Sequence, residues 1–366
     1  MIIFFDARWT KIGRHDGISR YGSNLCAALA KLTPLTMLIH DQRQLKMLPA
    51  GVPYLLVNSP FSFRELFLPR RLNALGAQVV YSPKEIMGTW GRRYRLAFTL
   101  HDLIYYRHTL PPTQLAPHIR AFWWLYHQAY WPTRLVLNRA DLVVTVSETV
   151  KQQITTAHLT DRSVEVVYNA PPQLGPLASL RTDATTITPV PRRDLVFMGT
   201  LMPYKNAELL ISALPLLPKY QLHLTGRGTP DRLAALNTLA SHYNVQSRVT
   251  FWNGASDEEY ATLMASATAQ VTASRDEGFG IPLLEGMTAG IPVVCTDMPI
   301  FHEVAANAAL YFDPDSPEDF AAKIKQLEAP SIRAQLIAAG TIQAATFSWD
   351  KSAIKLLHIL QNLNTS

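Results

Sequence analysis

Short apolar runs alternate with longer amphipathic stretches along this chain, in two successive series. Runs at 2–5, 35–39, 54–57, 78–81, 96–100, 142–146 and 164–168 make the first series, with helix-like stretches such as 18–31 and 147–158 between several of them. Runs at 195–198, 221–225, 249–252, 269–272 and 292–295 make the second, with helices expected near 206–217, 231–243, 257–265 and 282–289. Strands that alternate with helices pair in parallel and are covered on both faces. Two such series predict an α/β protein of two Rossmann-like, doubly wound domains facing a cleft, with helices only from Ser316 onward. The stretch 171–193 carries Pro171, Pro172, Pro176, Pro189 and Pro191 with little periodic signal, which is linker composition. The expected division is therefore 1–170, a linker at 171–193, a second domain at 194–347, and a C-terminal helix at 348–366 whose candidate partner is the first domain.

Composition removes several classes. With 366 residues, 48% hydrophobic, the chain can bury a core in each domain and is not a disordered tail. No run of about 20 uncharged apolar residues appears, so no membrane-spanning helix is expected. The opening Met-Ile-Ile-Phe-Phe-Asp6 has no basic leader and reads as a buried first strand. Cys26 and Cys295 are the only cysteines and have no metal-ligand spacing, which points to a reduced, cytoplasmic compartment and no metal site.

Charge is unevenly placed. Residues 1–170 carry a net +10 and 171–366 a net −4, within a total of +6. Residues 64–139 are the most basic part, with 11 Lys and Arg against 3 acids, interleaved with Tyr105, Tyr106, Phe122, Trp123, Trp124, Tyr126, Tyr130 and Trp131. Two readings stay open there. One is an anionic membrane surface or lipid-linked substrate, with aromatics at the headgroup level. The other is a solvated basic face above an aromatic core helix. Nucleic acid is the weakest reading of such a patch.

The strongest constellation is Ser274-Arg-Asp-Glu277-Gly-Phe-Gly-Ile-Pro282-Leu-Leu-Glu285, which follows an expected strand and opens a helix. The amides of Phe279, Gly280 and Ile281 would point out of the helix start, carrying partial positive charge for a phosphate. Glu277 and Glu285 bracket that point. Like charges repel, so carboxylates beside a phosphate site are suited to accepting hydrogen bonds from vicinal hydroxyls, as in a ribose or hexose. Asp313-Pro-Asp315 invites a metal reading. Its place between an apolar run and Ser316-Pro-Glu318 makes a helix cap the better one.

The pattern Glu277-Gly-Phe-Gly-x-Pro-x-x-Glu285 resembles the signature of retaining glycosyltransferases of family 4, whose fold is GT-B. Phe197-Met-Gly-Thr200-Leu-x-Pro-x-Lys205-Asn206 resembles the first strand and loop of their donor domain. Gly17-Ile-Ser-Arg-Tyr21 resembles their first glycine loop, especially in bacterial mannosyltransferases of polysaccharide assembly, and Leu100-His101-Asp102-Leu103 their His-Asp motif. Asp141 to Glu148 resembles the following strand that ends in Ser-Glu. The resemblance covers nearly the whole chain. It implies that 1–170 is the acceptor-side domain and 194–347 binds the nucleotide sugar.

By resemblance, Glu277 approaches the transferred sugar, Glu285 holds the ribose, and Lys205 contacts the donor phosphates. Gly17, Thr200, Phe279, Gly280 and Ile281 join the donor site, and His101 contacts the donor sugar or orients the acceptor. Asp102 fixes its loop. The chain departs from the family where Thr200 and Tyr204 stand at positions usually offering an Arg. Arg227 and Arg275 are the candidates for that missing charge. Asp16 stands where a glycine often precedes Gly17, and Asn169-Ala170 replaces Asn-Gly.

The implied activity is a metal-independent, retaining transfer of a hexose to a glycan or lipid-linked acceptor, with no cofactor. The expected donor is a nucleotide sugar, GDP-mannose favoured and a UDP-sugar the alternative. The expected place is the cytoplasm, with the inner face of the cytoplasmic membrane as attachment site under the first reading of the basic stretch. Two competitors are a sugar-nucleotide epimerase of the same fold and a catalytically silent carbohydrate- or lipid-binding scaffold.

Overall fold

A computed structural model describes residues 1–13, 15–111, 116–171 and 193–365. The expected linker at 171–193 lies outside these residues except at its two ends. The described chain divides into one compact unit of Met1–Asn169 with Ser348–Ser366, and a second of Ala170–Phe347.

The first unit begins with β1 (Ile3–Asp6), α1 (Gly17–Ala30), β2 (Leu35–Ile39), β3 (Tyr54–Leu56), α2 (Leu68–Ala74) and β4 (Val79–Ser82). It continues through β5 (Arg95–Leu100), α3 (Ile104–Arg107), α4 (Pro117–Tyr126), α5 (Trp131–Leu137), β6 (Leu142–Thr145), α6 (Glu148–Thr156) and β7 (Val164–Val166). The strands form one parallel sheet in the order β3-β2-β1-β4-β5-β6-β7. Residues of β1, β4, β5 and β6 are almost all buried on both faces, as parallel strands under helices require. Phe4, Leu38, Val80 and Phe98 pack with Leu68 and Leu72 of α2 in one cluster. Leu100 and Val143 pack with Val150 and Ile154 of α6 in another.

The second unit contains β8 (Asp194–Phe197), α7 (Ala207–Ala213), β9 (Gln221–Leu224), α8 (Pro230–His242), β10 (Val249–Phe251), α9 (Asp257–Ser266) and β11 (Ala269–Thr272). Then follow α10 (Ile281–Thr288), β12 (Val293–Thr296), α11 (Pro299–Ala305), β13 (Ala309–Phe312), α12 (Pro317–Gln326) and α13 (Pro330–Ala344). Its sheet is also parallel, in the order β10-β9-β8-β11-β12-β13. The helix expected over 206–217 ends at Ala213 and continues only as a 3-10 turn over Leu214–Leu216. Pro215 lacks the amide that another α turn would use.

The last helix, α14 (Trp349–Thr365), belongs to the first unit. Its buried stripe of Trp349, Ala353, Leu356, Leu360 and Leu363 recurs at helical spacing and lies against α1. Trp349 meets Tyr21 edge-on, with ring centroids 5.8 Å apart. Ser352 Oγ donates to the carbonyl of Tyr168 at 2.7 Å.

The aromatic stretch does not make a core helix. No residue of α4 is buried, and Phe122 and Trp131 are 69% and 61% exposed. A second exposed apolar run precedes α2, where Phe61, Phe63, Leu66 and Phe67 stand beside exposed Arg64, Arg70 and Arg71. Arg70 lies over the Trp90 ring at 4.8 Å. Among the described residues no helix is long and apolar enough to cross a membrane.

Candidate active site

In an open parallel sheet the strand order reverses at one point, and the loops beyond the carboxyl ends of the strands diverge there. In the second unit that point lies between β8 and β11, which pair through Leu195 with Ala269 and Val196 with Gln270. The two loops that leave these strands carry the residues singled out by sequence.

After β8 the chain passes Gly199 and Thr200, makes a 3-10 turn over Pro203–Lys205, and enters α7 through Asn206 in the left-handed conformation. Gly199 has φ +149°, and a methyl added at Gly226 would fall 1.4 Å from the Gly199 carbonyl oxygen. Two loop backbones are therefore pressed together where only glycine fits. Leu201 N donates to the Arg227 carbonyl at 2.9 Å. Arg232, at the start of α8, adds a bond from Nε to the Leu201 carbonyl at 2.7 Å and an ion pair to Glu208. The β8 loop is thus pinned from below by α8.

That loop delivers Lys205, whose Nζ pairs with Glu277 Oε1; both side chains are largely shielded from solvent. Ser274 Oγ donates to the same Glu277 oxygen at 2.9 Å. The amide of Arg275 donates to the Tyr204 carbonyl at 2.8 Å, which joins the β8 and β11 loops. Arg275 directs its guanidinium to Asp315 at 2.6 Å and to the Pro314 carbonyl at 3.1 Å. Asn206 Nδ2 donates to the same carbonyl at 2.9 Å. Arg275 therefore ties together loops leaving β11 and β13. Thr200 and Arg227 are exposed on their loops.

The Gly-Phe-Gly turn then starts α10. Gly280 is the N-cap at φ +99°, and no side chain caps this end. Ile281 is the first helical residue and Pro282 the second, where its missing amide costs nothing. A helix start without a side-chain cap leaves backbone donors and the positive end of the dipole for an anion. Phe279 is buried against Phe347, ring centroids 5.7 Å apart. Glu285 sits in α10 itself, 5% exposed, and its Oε2 accepts from Tyr260 OH at 3.0 Å.

Asp313 and Asp315 are used within their own turn. Asp313 Oδ1 accepts from the Asp315 amide at 2.8 Å, and Ser316 caps α12 through Asp319 N at 3.1 Å. Among the described residues no three His, Cys, Asp or Glu side chains cluster in a way that could hold a metal ion.

Gly17 and His101 lie in the first unit. Gly17 is the first residue of α1, capped by Asp16, whose Oδ1 accepts from Ser19 N at 2.9 Å. The acid in the glycine loop is thus a helix cap. His101 follows β5; its Nε2 faces the Pro83 carbonyl at 2.8 Å, and its ring meets Tyr21 edge-on at 4.8 Å. A carbonyl only accepts, so Nε2 carries the proton and Nδ1 offers a lone pair. Burial lowers the His101 pKa from its ordinary value, which favours this neutral form. Asp102 Oδ1 accepts from Ile104 N at 3.0 Å and so holds the loop's exit.

Sequence reasoning passed over Tyr260, Gln270, Ser274 as a Glu277 partner, and Arg232. One signal was present. In Ala-Gln270-Val-Thr272-Ala-Ser274 a strand buried on both faces alternates polar with apolar residues, which a covered parallel strand has no packing reason to do.

Comparison with known proteins fits these observations. A family model described as Glycosyltransferase Family 4 matches residues 15–170, and one described as Glycosyl transferases group 1 matches 184–342. The O-antigen chain mannosyltransferase RfbU of Salmonella typhimurium is 29% identical over 198 residues, 53% of either chain. The O-antigen chain mannosyltransferase B of Escherichia coli is 34% identical over 170 residues, 44% of either chain. The chain thus spans about half the length of these curated relatives. Among solved structures, Anabaena HepE in complex with UDP and glucose superposes with a TM-score of 0.70 at 18% identity, covering 98% of this chain and 99% of that one. With a matching family model on each of its two units, the chain belongs to the family 4, or group 1, glycosyltransferases.

Proposed function

We propose that the protein is a retaining glycosyltransferase that moves a hexose, mannose first among the candidates, from a nucleoside-diphosphate donor to a glycan or lipid-linked acceptor. One observation carries the reading: the Lys205–Glu277 pair at the reversal point of the second sheet, beside the helix start at Gly280 that no side chain caps. The pair balances its own charge and holds both side chains in place. A diphosphate arriving at the start of α10 competes with Glu277 for Lys205. Lys205 then offsets charge on the leaving group, and Glu277, still held by Ser274, turns to the sugar hydroxyls. The bond from the anomeric carbon to the phosphate oxygen breaks. The acceptor oxygen bonds to that carbon on the same face, and the acceptor's proton passes to the departing phosphate. No side chain is required as nucleophile; the protein supplies orientation and charge stabilisation. In the first unit, neutral His101 presents Nδ1 to a sugar hydroxyl, and Gly17 leaves space for a ligand to approach.

The mannosyl assignment draws on the two O-antigen mannosyltransferases among the relatives, and the UDP complex of HepE keeps a UDP-sugar in view. The exposed aromatics and arginines of the first unit favour an anionic membrane surface, on its cytoplasmic side, as the place of work.

The test is donor turnover with a panel of GDP- and UDP-sugars, with and without acceptor, in the presence of a chelator. Slow donor hydrolysis is expected without acceptor, unaffected by the chelator, and about 100-fold slower in Glu277→Ala. Lys205→Ala should weaken binding of the free nucleoside diphosphate about tenfold. Unchanged affinity in that variant removes Lys205 from the phosphate site. Conversion of a free nucleotide sugar into its epimer without acceptor would establish the competing enzyme instead.

A further inference from the structure

Strand β11 has two unlike faces. Ala269 and Val271, with Ala273 just beyond the strand, join the apolar core, whereas Gln270 and Thr272, with Ser274 in the loop that follows, are three buried polar residues alternating with them. The polar face is pressed close to α10: a methyl added at Gly286 would lie 2.8 Å from Gln270 Cβ. At the open end of the stripe, Ser274 holds Glu277. At its other end, Tyr260 of α9, Gln270 and Glu285 meet. Tyr260 OH lies 3.0 Å from Glu285 Oε2 and 3.5 Å from Gln270 Oε1. All three residues are at least nine-tenths buried, and Gln270 Nε2 has no hydrogen-bond partner.

A carboxylate taken out of water must be given donors or lose its charge. One hydroxyl proton cannot serve two oxygens, and the shorter contact takes it, so Tyr260 donates to Glu285. Oxygen and nitrogen of an amide are exchangeable by a half-turn of the side chain. Turned so, Gln270 Nε2 donates to the Tyr260 oxygen and gains the acceptor it lacks. The result is a directed chain from Gln270 to Tyr260 to Glu285, each member polarising the next.

We propose that Tyr260 and Gln270 are positioning residues that fix the rotamer of Glu285, so that its other oxygen meets the vicinal hydroxyls of the donor's ribose. This rests on the reading of Glu285 as the ribose-binding carboxylate. Neither residue touches the ligand; they set the direction of the group that does. The arrangement explains why a tyrosine occupies the buried face of α9 and a glutamine the middle of a covered strand, where an apolar residue of similar size would pack without needing a partner.

The experiment compares GDP and UDP with their 2′,3′-dideoxy counterparts, by calorimetric titration into the wild type, Glu285→Ala, Tyr260→Phe and Gln270→Met. Tyr260→Phe should bind the ribose nucleotide about tenfold more weakly and the dideoxy nucleotide as the wild type does. Gln270→Met should show the same selectivity with about a threefold loss. Donor KM should rise in parallel while kcat at saturating donor stays within about threefold. Equal losses for both nucleotides, or none, in Tyr260→Phe and Gln270→Met overturn the positioning role. A Glu285→Ala variant that keeps the wild-type preference for ribose overturns the reading of Glu285, and the proposal with it. Should Tyr260→Phe fail to fold, the Gln270→Met titration decides alone.

Discussion

Gly17 and Gly280 look alike in the sequence, each at the mouth of a helix, yet the space around them is opposite. A methyl added to Gly280 would lie 2.9 Å from Phe301 Cε1, on a backbone at φ +99°. A methyl added to Gly17 meets nothing within 4 Å, and that residue's φ is not positive. Gly280→Ala should therefore cost about 1–2 kcal/mol of stability from conformation alone, more if Phe301 cannot move. Gly17→Ala should leave thermal stability unchanged or slightly raised, since it restricts only the unfolded chain. If ligand comes close at Gly17, the same variant loses turnover; thermal melts and donor hydrolysis side by side check both halves. At this scale the sequence shows which residues have chemistry but not what they touch. The Glu277-to-Glu285 pattern is legible because glycines before a helix and acids beside it each have a local cause. Tyr260 is not legible, because an aromatic at helical spacing reads as core until its hydroxyl is placed next to a carboxylate 25 positions away. Arg275 is visible as charge, and only geometry reveals Asp315 as its counterion.

Elements were easier to read than their ends. Period-two and period-3.6 patterns find strands and helices because burial enforces them, whereas the end of α7 is decided by one missing amide at Pro215. The aromatic stretch shows the limit of pattern. Trp and Phe at helical spacing describe a core helix and a surface helix equally well, and α4 is the latter. For α14 the apolar stripe is plain in the sequence, but a stripe does not name the surface it will meet. Trp349, 1% exposed and edge-on to Tyr21, is the largest fully buried side chain among the described residues. Trp349→Ala should lower the unfolding free energy by about 3–5 kcal/mol, measured by urea titration. A loss below about 1 kcal/mol would mean that α14 rests on the first unit without contributing to its core. Tyr21 also bonds Tyr81 at 2.8 Å and abuts His101, so the same variant reports whether the histidine's setting depends on the last helix.

For the molecule as a whole, the division of charge is the broadest statement the sequence makes: +10 before residue 171 and −4 after it. Counting gives the sign, but only the structure separates surface cations from committed ones. Arg92 is paired with Asp141 at 2.6 Å and bonded to the carbonyls of Tyr94 and Arg139, so it is a structural cation. Arg64, next to Phe63 in sequence, and Arg71 of α2 are both exposed, and Phe63 is 93% exposed. Association with phosphatidylglycerol vesicles should therefore be salt-sensitive and fall at least tenfold in Arg64→Glu/Arg71→Glu, each basic residue being worth about 1 kcal/mol at such a surface. Phe63→Ser should weaken it further at high salt, where only apolar insertion remains. Co-sedimentation of wild-type and variant protein with neutral and anionic vesicles distinguishes these outcomes; equal sedimentation of all forms would rule out a lipid-facing role for this patch.

The return of α14 to the first unit has a consequence during synthesis. Residues 1–169 lack the helix that completes their unit until some 180 further residues have been made, since residues 170–347 come between. On the ribosome the second unit has all its strands and helices available first, while the earlier sheet waits with the flank of α1 open to water. Completion of the first unit is thus timed by the emergence of α14, and a chain stalled before Trp349 would present the uncovered flank of α1 to chaperones.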